Sequence, residues 1–309
     1  MALHPFFAGS LSGFEQFLAE LDAQVFANST RGNQKSRKND ASTRQRDYAP
    51  DGLGKGRCNG ATLGLGQWGV VMRSLNGPLA PDEANALVRK FKNLGMDSEE
   101  ELQALLLRVK VKRRASRGED IVKIGSSPGY STVLLTGVAC RYKMIESGRR
   151  QIFTFQYPGD FCDFHRYVLS ELNDAVAAVT DCSIGVILHE DIGRITAQYP
   201  KLGLALWRDT LLEARIFRER LLNVGHRPAL PRIAHLICEQ MARLEAIGIT
   251  SAVIPLTQVE LADAAGLSVV HLNRMVQDLR ELGILSKNNR TIEVMDRDRL
   301  VKSRAIVTP

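Results

Sequence analysis

Asn273, Arg274 and Gln277 stand within five positions of one another, with Val270 one turn earlier and His271 beside it. On a helix this spacing gathers them on one face. Amide and guanidinium groups so placed offer the paired donors and acceptors that read base edges in a DNA groove. A second group, Cys162 and His165, suggests other chemistry. In a helix the thiol and imidazole share a face and could hold haem or a metal, or form a redox-active thiol. In an extended chain they point apart. The plainer alternative is a short helix after a turn, with a buried cysteine. No oxyanion hole or base-orienting partner accompanies Cys162, Asp163 and His165, so we assign no catalytic residues and no metal site.

The elements that must position the first group are legible. Thr257 followed by Glu260 makes a capping box, so a helix starts there. Gly266 supplies a tight turn, and Ser268 caps a second helix that begins at Val269 and Val270. Leu272, Val276 and Leu279 fall at i, i+4 and i+7, opposite the polar row, and should be buried. Met275, like Met241, reads as core. Residues 252–256 form a strand before the first helix, and 283–286 and 291–294 form a hairpin after the second. The hairpin tip carries Lys287 and Arg290, placed to touch phosphate.

Helix-turn-helix plus hairpin is a winged helix-turn-helix. Arg232-Ile233-Ala234, the run LTQVELADAAGLS and the run VHLNRMVQDLRELGIL resemble the DNA-binding domain of the Crp/Fnr superfamily of bacterial transcription regulators. The resemblance extends upstream and covers roughly residues 85–300. It implies three base-contacting positions, here Val269, Val270 and Arg274. Only Arg274 keeps the chemistry of the best-known cyclic-AMP-responsive members. The resemblance also implies double-stranded DNA, RNA polymerase and a second copy of the chain as partners.

Composition is compatible with this. The net charge of +7 suits a polyanionic partner, but residues 27–60 alone carry eight basic residues against three acidic ones. The DNA-binding reading therefore rests on the motif. No run of about eighteen apolar residues is present, and the N-terminus lacks a signal-peptide pattern, so we expect a cytoplasmic protein with no membrane partner. Five scattered cysteines without a C-x-x-C pair fit reduced thiols.

In chain order, residues 1–71 read as a disordered basic extension, either a DNA-binding arm or the product of a mis-assigned start, with Met72 as the alternative start. Residues 72–198 read as a sensory domain, with helices opening at Pro81 and Ser98. Seven strand candidates follow: 109–113, 120–124, 132–135, 140–145, 152–156, 175–180 and 184–188. Glycines punctuate them, as in a barrel or double-sheet roll. Gly137 and the Pro158-Gly159-Asp160-Phe161 turn resemble fixed turns of the cyclic-nucleotide-binding β-roll, a jelly roll. The ligand positions depart from it. Cys162-Asp163-Phe164 follows the turn where a Gly-Glu pair would hold ribose, and the phosphate-gripping positions fall near Leu172-Asn173. Arg166 is the one basic residue nearby. We therefore expect neither cyclic nucleotide nor, with Cys58 standing alone, a four-cysteine iron–sulfur cluster.

Residues 199–225 read as a long helix, Lys201–Val224, with Gly225 to Pro228 as the hinge. Leu204, Trp207, Leu211, Ala214, Phe217, Arg218 and Leu221 recur at 3–4 spacing, an apolar seam too long for one small roll to cover. In the family this helix is a parallel dimer seam, which assigns Leu204, Trp207, Leu211, Ala214, Arg218 and Leu221 to an interface. Residues 226–309 are the winged domain, opened by a helix over 231–247. The fold class is α+β: β-roll, dimerisation helix and winged helix-turn-helix. The function read from it is a homodimeric regulator binding an inverted repeat, its roll sensing a signal other than cyclic AMP. A rival reading makes the roll a scaffold and DNA binding constitutive. Deleting residues 1–71 should leave operator affinity within about tenfold at matched salt; a larger loss, with a shallower salt dependence, would mean they act as a basic arm.

Overall fold

The computed structural model describes residues 79–304 apart from 127–128, 147, 170–172 and 289–290. The extension 1–71, Leu172 and Arg290 lie outside the described residues. Two helices lead, α1 (Pro81–Asn93) and α2 (Glu99–Leu106). Pro81, Asp82 and Glu83 start α1, and the Ser98 side chain caps α2. Seven strands then form where glycine punctuation placed them: β1 (Lys110–Ala115), β2 (Asp120–Val122), β3 (Tyr130–Thr136), β4 (Ala139–Met144), β5 (Arg150–Gln156), β6 (Ala175–Ala178) and β7 (Cys182–Leu188). They make two antiparallel sheets, β1-β7-β3 and β2-β6-β4-β5.

Turns at the corners explain two glycines. Gly137 has φ +86°, and a Cβ there would lie 2.3 Å from the Asp181 carbonyl oxygen. Gly159, at φ +95°, would meet the Ala86 carbonyl at 2.9 Å. The second close approach seats the Gly159 turn directly on α1.

Beyond β7 come α3 (His189–Gln198) and the 27-residue α4 (Pro200–His226). Gly225 lies inside α4, so the helix continues two residues further than its sequence suggested. An interior glycine costs a helix only about 1 kcal/mol, and the break waits for Pro228. The connection to the next helix is Arg227–Pro228 alone. Leu202, Ala205 and Leu206 of α4 join Leu87, Phe91, Leu102, Leu105, Val133 and Phe161 in one apolar core.

The C-terminal part is built on α5 (Ala229–Ala246). It continues with β8 (Val253–Ile254), α6 (Gln258–Ala265), α7 (Val269–Glu281), β9 (Leu285–Asn288), β10 (Thr291–Val294) and α8 (Arg297–Ser303). The small sheet has the order β8-β10-β9. No described helix is long and apolar enough to cross a membrane.

The two kinds of glycine can be told apart by substitution. Gly118 also has positive φ, at +84°, but open space around its Cβ direction. Gly118→Ala should cost about 1–2 kcal/mol for the left-handed backbone alone. Gly137→Ala adds a backbone collision and should cost about 3 kcal/mol or more. Equal costs in denaturant melts would contradict this account of the corner.

Candidate nucleic-acid interface

The helix-turn-helix is set by local chemistry. Thr257 Oγ1 accepts from the Glu260 amide at 3.4 Å, and the Glu260 carboxylate accepts from the Thr257 amide at 2.6 Å. The capping box is complete, which satisfies donors that α6 would otherwise leave bare. Gly266 closes α6 in the left-handed region at φ +66°. Ser268 caps α7 by accepting from the His271 amide at 3.2 Å. Leu272, Val276 and Leu279 are buried against the domain. That apolar back fixes which face of α7 looks outward.

The outward face is the one the spacing indicated. Val269, Val270, His271, Asn273, Arg274 and Gln277 are all exposed, Val270 at 66%. The Gln277 side chain donates to Glu281 at 3.1 Å and accepts from Arg280 at 3.1 Å. It must exchange these partners to reach a base. Met275 departs from expectation. It is half-buried, not core, and lines a shallow surface depression with Val270, Asn273, Arg274, Gln277 and Asp278. Its position, one residue beyond Arg274, places it at the border between the two faces. In the wing, Ile292 pairs with Lys287 and Thr291 with Asn288, so Lys287 stands on the strand next to the hairpin tip.

Cys162 and His165 are not brought onto one helical face. A single 3-10 turn covers Phe164–Tyr167, and Cys162 precedes it. The Cys162 thiol packs among Leu134, Ala139, Val176 and Ile184, and burial pushes its pKa well above the usual thiol value. It is a core side chain, poorly suited to redox chemistry. His165 is half-buried. Burial, then the nearby Arg141 guanidinium, pushes its pKa down to about 4.

Around these two lies a charged cluster that the sequence did not reveal. Asp163 is fully buried, accepts from the Thr132 amide at 2.6 Å and pairs with Arg166 at 3.2 Å. Arg141, from β4, donates to the Cys162 carbonyl at 2.7 Å and stands 3.8 Å from Glu213 on α4. Arg166 is therefore joined by a second buried arginine. Arg141 passes in sequence for an ordinary strand residue, since it alternates with Cys140 and Tyr142 beside Lys143.

Similarity to known proteins agrees with this geometry. The Crp-like helix-turn-helix domain matches residues 231–303. A "Probable transcriptional activator" of Rhizobium leguminosarum bv. viciae is 30% identical over 198 residues, covering 63% of this chain and 82% of that protein. The chain belongs to the Crp/Fnr family. Its members are transcription regulators, not enzymes. Another relative, the transcriptional activator protein FnrL of Cereibacter sphaeroides, is 29% identical, covering 67% of this chain and 84% of that one. Among solved structures, FixK2 from Bradyrhizobium japonicum shares the fold. It aligns at TM-score 0.55 and 24% identity, over 63% of this chain and 98% of that one. The Crp/Fnr architecture thus accounts for the roll, the long helix and the winged domain together.

His165 gives a pH test of the roll. Its folded pKa is depressed below the free-imidazole value, so the unfolded chain takes up its proton first as pH falls through 6.5. The stabilisation is complete above that value and is lost on acidification toward pH 4. Because the ring is partly exposed, the loss at pH 5 should be about 1 kcal/mol. His165→Gln should flatten the stability profile between pH 7 and 5, and an unchanged slope would contradict the assignment.

Proposed function

We propose that this Crp/Fnr protein is a sequence-specific DNA-binding regulator that acts as a homodimer on an inverted-repeat operator in the cytoplasm. The observation that carries the reading is the pairing of two exposed surfaces. One is the polar front of α7, with Arg274 at its centre. The other is a stripe along α4. Leu204, Trp207, Leu211, Arg218 and Leu221 are exposed and Ala214 half-buried, at alternating three- and four-residue steps. Trp207 is 62% and Leu221 76% exposed. A monomer has no use for so regular an apolar row in water; a parallel partner helix covers it by knobs-into-holes packing.

Two α7 helices related by the two-fold axis enter successive major grooves about one helical turn apart. Arg274 donates to the N7 and O6 of one guanine per half-site, and Val270 packs on a thymine methyl. Asn273, His271 and Gln277 reach an adenine edge or a phosphate. Val269 lies at the edge of the contact. Thr257 and Ser268 at the helix starts, with Lys287 and Arg290 of the wing, serve the phosphates. RNA polymerase is the partner through which the bound dimer acts, in keeping with the activator names of both relatives.

The roll senses a signal other than cyclic AMP. Asp163, Arg166 and Arg141 fill the region behind the Gly159 turn with pairs made within the chain. Signal passes along α4, whose Glu213 and Asp209 face charged groups of the N-terminal part, and tilts the winged domains about Arg227–Pro228.

Selection from randomised DNA with wild type and Arg274→Ala tests the reading. The variant should lose about 1–3 kcal/mol per half-site and relax preference at one guanine, whereas Lys287→Ala should weaken all sequences alike. Identical motifs from wild type and Arg274→Ala would mean that Arg274 is not the base reader. Leu211→Asp, which sets a carboxylate on the seam, should yield monomers by sedimentation that no longer bind specifically. A dimeric Leu211→Asp would misplace the seam.

A further inference from the structure

Polar pairs join the winged domain to the rest of the chain along α5. Each side has its own core, with Ile233, Leu236 and Ile237 of α5 buried in one and the α1–roll–α4 cluster forming the other. Between them, a stripe of polar pairs runs along α5. Glu239 takes a double hydrogen bond from Arg220 of α4, at 2.8 and 3.2 Å. Gln240 accepts from the Tyr157 hydroxyl at 2.9 Å. Arg243 donates to Asp160 at 2.7 Å and to Thr154 at 3.1 Å, with its guanidinium over the Tyr157 ring at 5.4 Å. At the end of α5, Asn93 and Arg89 of α1 donate to the Ala246 and Ile247 carbonyls at 2.6 and 2.9 Å.

Asp160 is itself held from the other side. Lys90 binds it and also Asp209 of α4, both at 2.6 Å. The Gly159 turn, α1 and α5 therefore meet at one carboxylate, which Lys90 links to Asp209 of α4. A cavity of about 70 Å³ lies beside it, lined by Lys90, Asp209, Glu213 and Arg243 among others. Leu94, Leu212 and Ile247 also line the cavity, and the space is enough for water to reach the charges.

Such an interface suits orientation better than adhesion. Buried ion pairs add little net stability over apolar packing but accept few geometries. Hydrogen bonds are directional, whereas apolar contact tolerates sliding. The covalent link, Arg227–Pro228, is short, and these contacts, with those of Glu219 on α4 to Arg227 and His235, hold the angle between α4 and α5. The reading face of α7 lies outside them.

We propose that Arg243, seated on Asp160, is a positioning residue for operator recognition. It sets the angle at which the winged domain is held, and so the distance between half-sites that the pair of domains accepts. This rests on the homodimer and inverted-repeat reading above.

The test measures affinity of the full-length protein for duplexes carrying two selected half-sites, with the spacer at its optimum and lengthened or shortened by one and two base pairs. A single half-site duplex is the control. Wild type should show a sharp spacer optimum. Arg243→Met should lose about tenfold at that optimum and much less elsewhere, because the loss is of geometry rather than of base contacts. Its single half-site affinity should stay within about twofold of wild type. Arg243→Lys, which keeps the charge but not the fork that joins Asp160 and Thr154, should fall between. Tyr157→Phe removes only the bond to Gln240 and should flatten the profile by about threefold; it decides the question if Arg243→Met does not fold. A merely structural role lowers affinity by one factor at every spacer and leaves the profile's shape intact. That shape retained in Arg243→Met and Tyr157→Phe overturns the inference alone. A wild type without any spacer optimum overturns the dimer reading and the inference together.

Discussion

A 27-residue helix is about 40 Å long, and one small roll covers only part of its circumference. The organisation of this protein follows from how α4 divides its surface. Leu202, Ala205, Leu206 and Ile216 are spent on the chain's own interior, and Phe217 packs its ring against Phe153 of β5. Leu204, Trp207, Leu211 and Leu221 are left facing outward. The division follows from two periodicities on one helix: an inward face that matches the roll, and an outward row whose steps average half a heptad. The first fixes the helix to the roll, and the second leaves an apolar surface exposed, the one proposed as the dimer seam. Helix continuity through Gly225 then carries both roles to within two residues of the winged domain.

The chemistry of contact changes along that path. Inside the roll and inside the winged domain, packing is mainly aliphatic and aromatic, the Asp163–Arg166–Arg141 cluster of the roll apart. Between them, charged and amide side chains meet in pairs: Arg220 with Glu239, Tyr157 with Gln240, Arg243 with Asp160. Further out, Arg117 pairs with Glu260, and Arg150 with Asp263 at 2.9 Å, tying the roll to α6. An apolar seam would weld the two halves into a single core. Polar pairs can be hydrated and remade, so relative movement of the halves need not unfold either one. The proposed conversion of a signal at the roll into the spacing of the winged domains needs that separation.

Much of this was legible in sequence because it is written in local patterns. Glycines at the corners and regular spacing mark the strands of the roll. Thr257 with Glu260, Gly266 and Ser268 mark the helix-turn-helix through caps and a left-handed turn. Spacing alone separated the buried Leu272, Val276 and Leu279 from the exposed Asn273, Arg274 and Gln277. What stayed hidden is long-range and polar. Arg243 and Asp160 are 83 positions apart, and nothing local distinguishes a buried arginine on a helix from a solvated one. The same holds for Arg141, an inward strand position filled by a charge. Gly225 misled for a different reason: its helix cost is small, and the proline three residues on sets the true end. Of the readings that Cys162 and His165 allow, the geometry matches the plainer one, a buried Cys162 followed by a short turn.

The central claim is that two chains read one operator through α7 while joined along α4. Native mass spectrometry of the full-length protein with its selected duplex measures this directly. The account predicts a single dominant species of two chains and one duplex, matched by a two-chain species without DNA. One chain per duplex, or a free protein that stays monomeric at concentrations where it binds the operator, would contradict it.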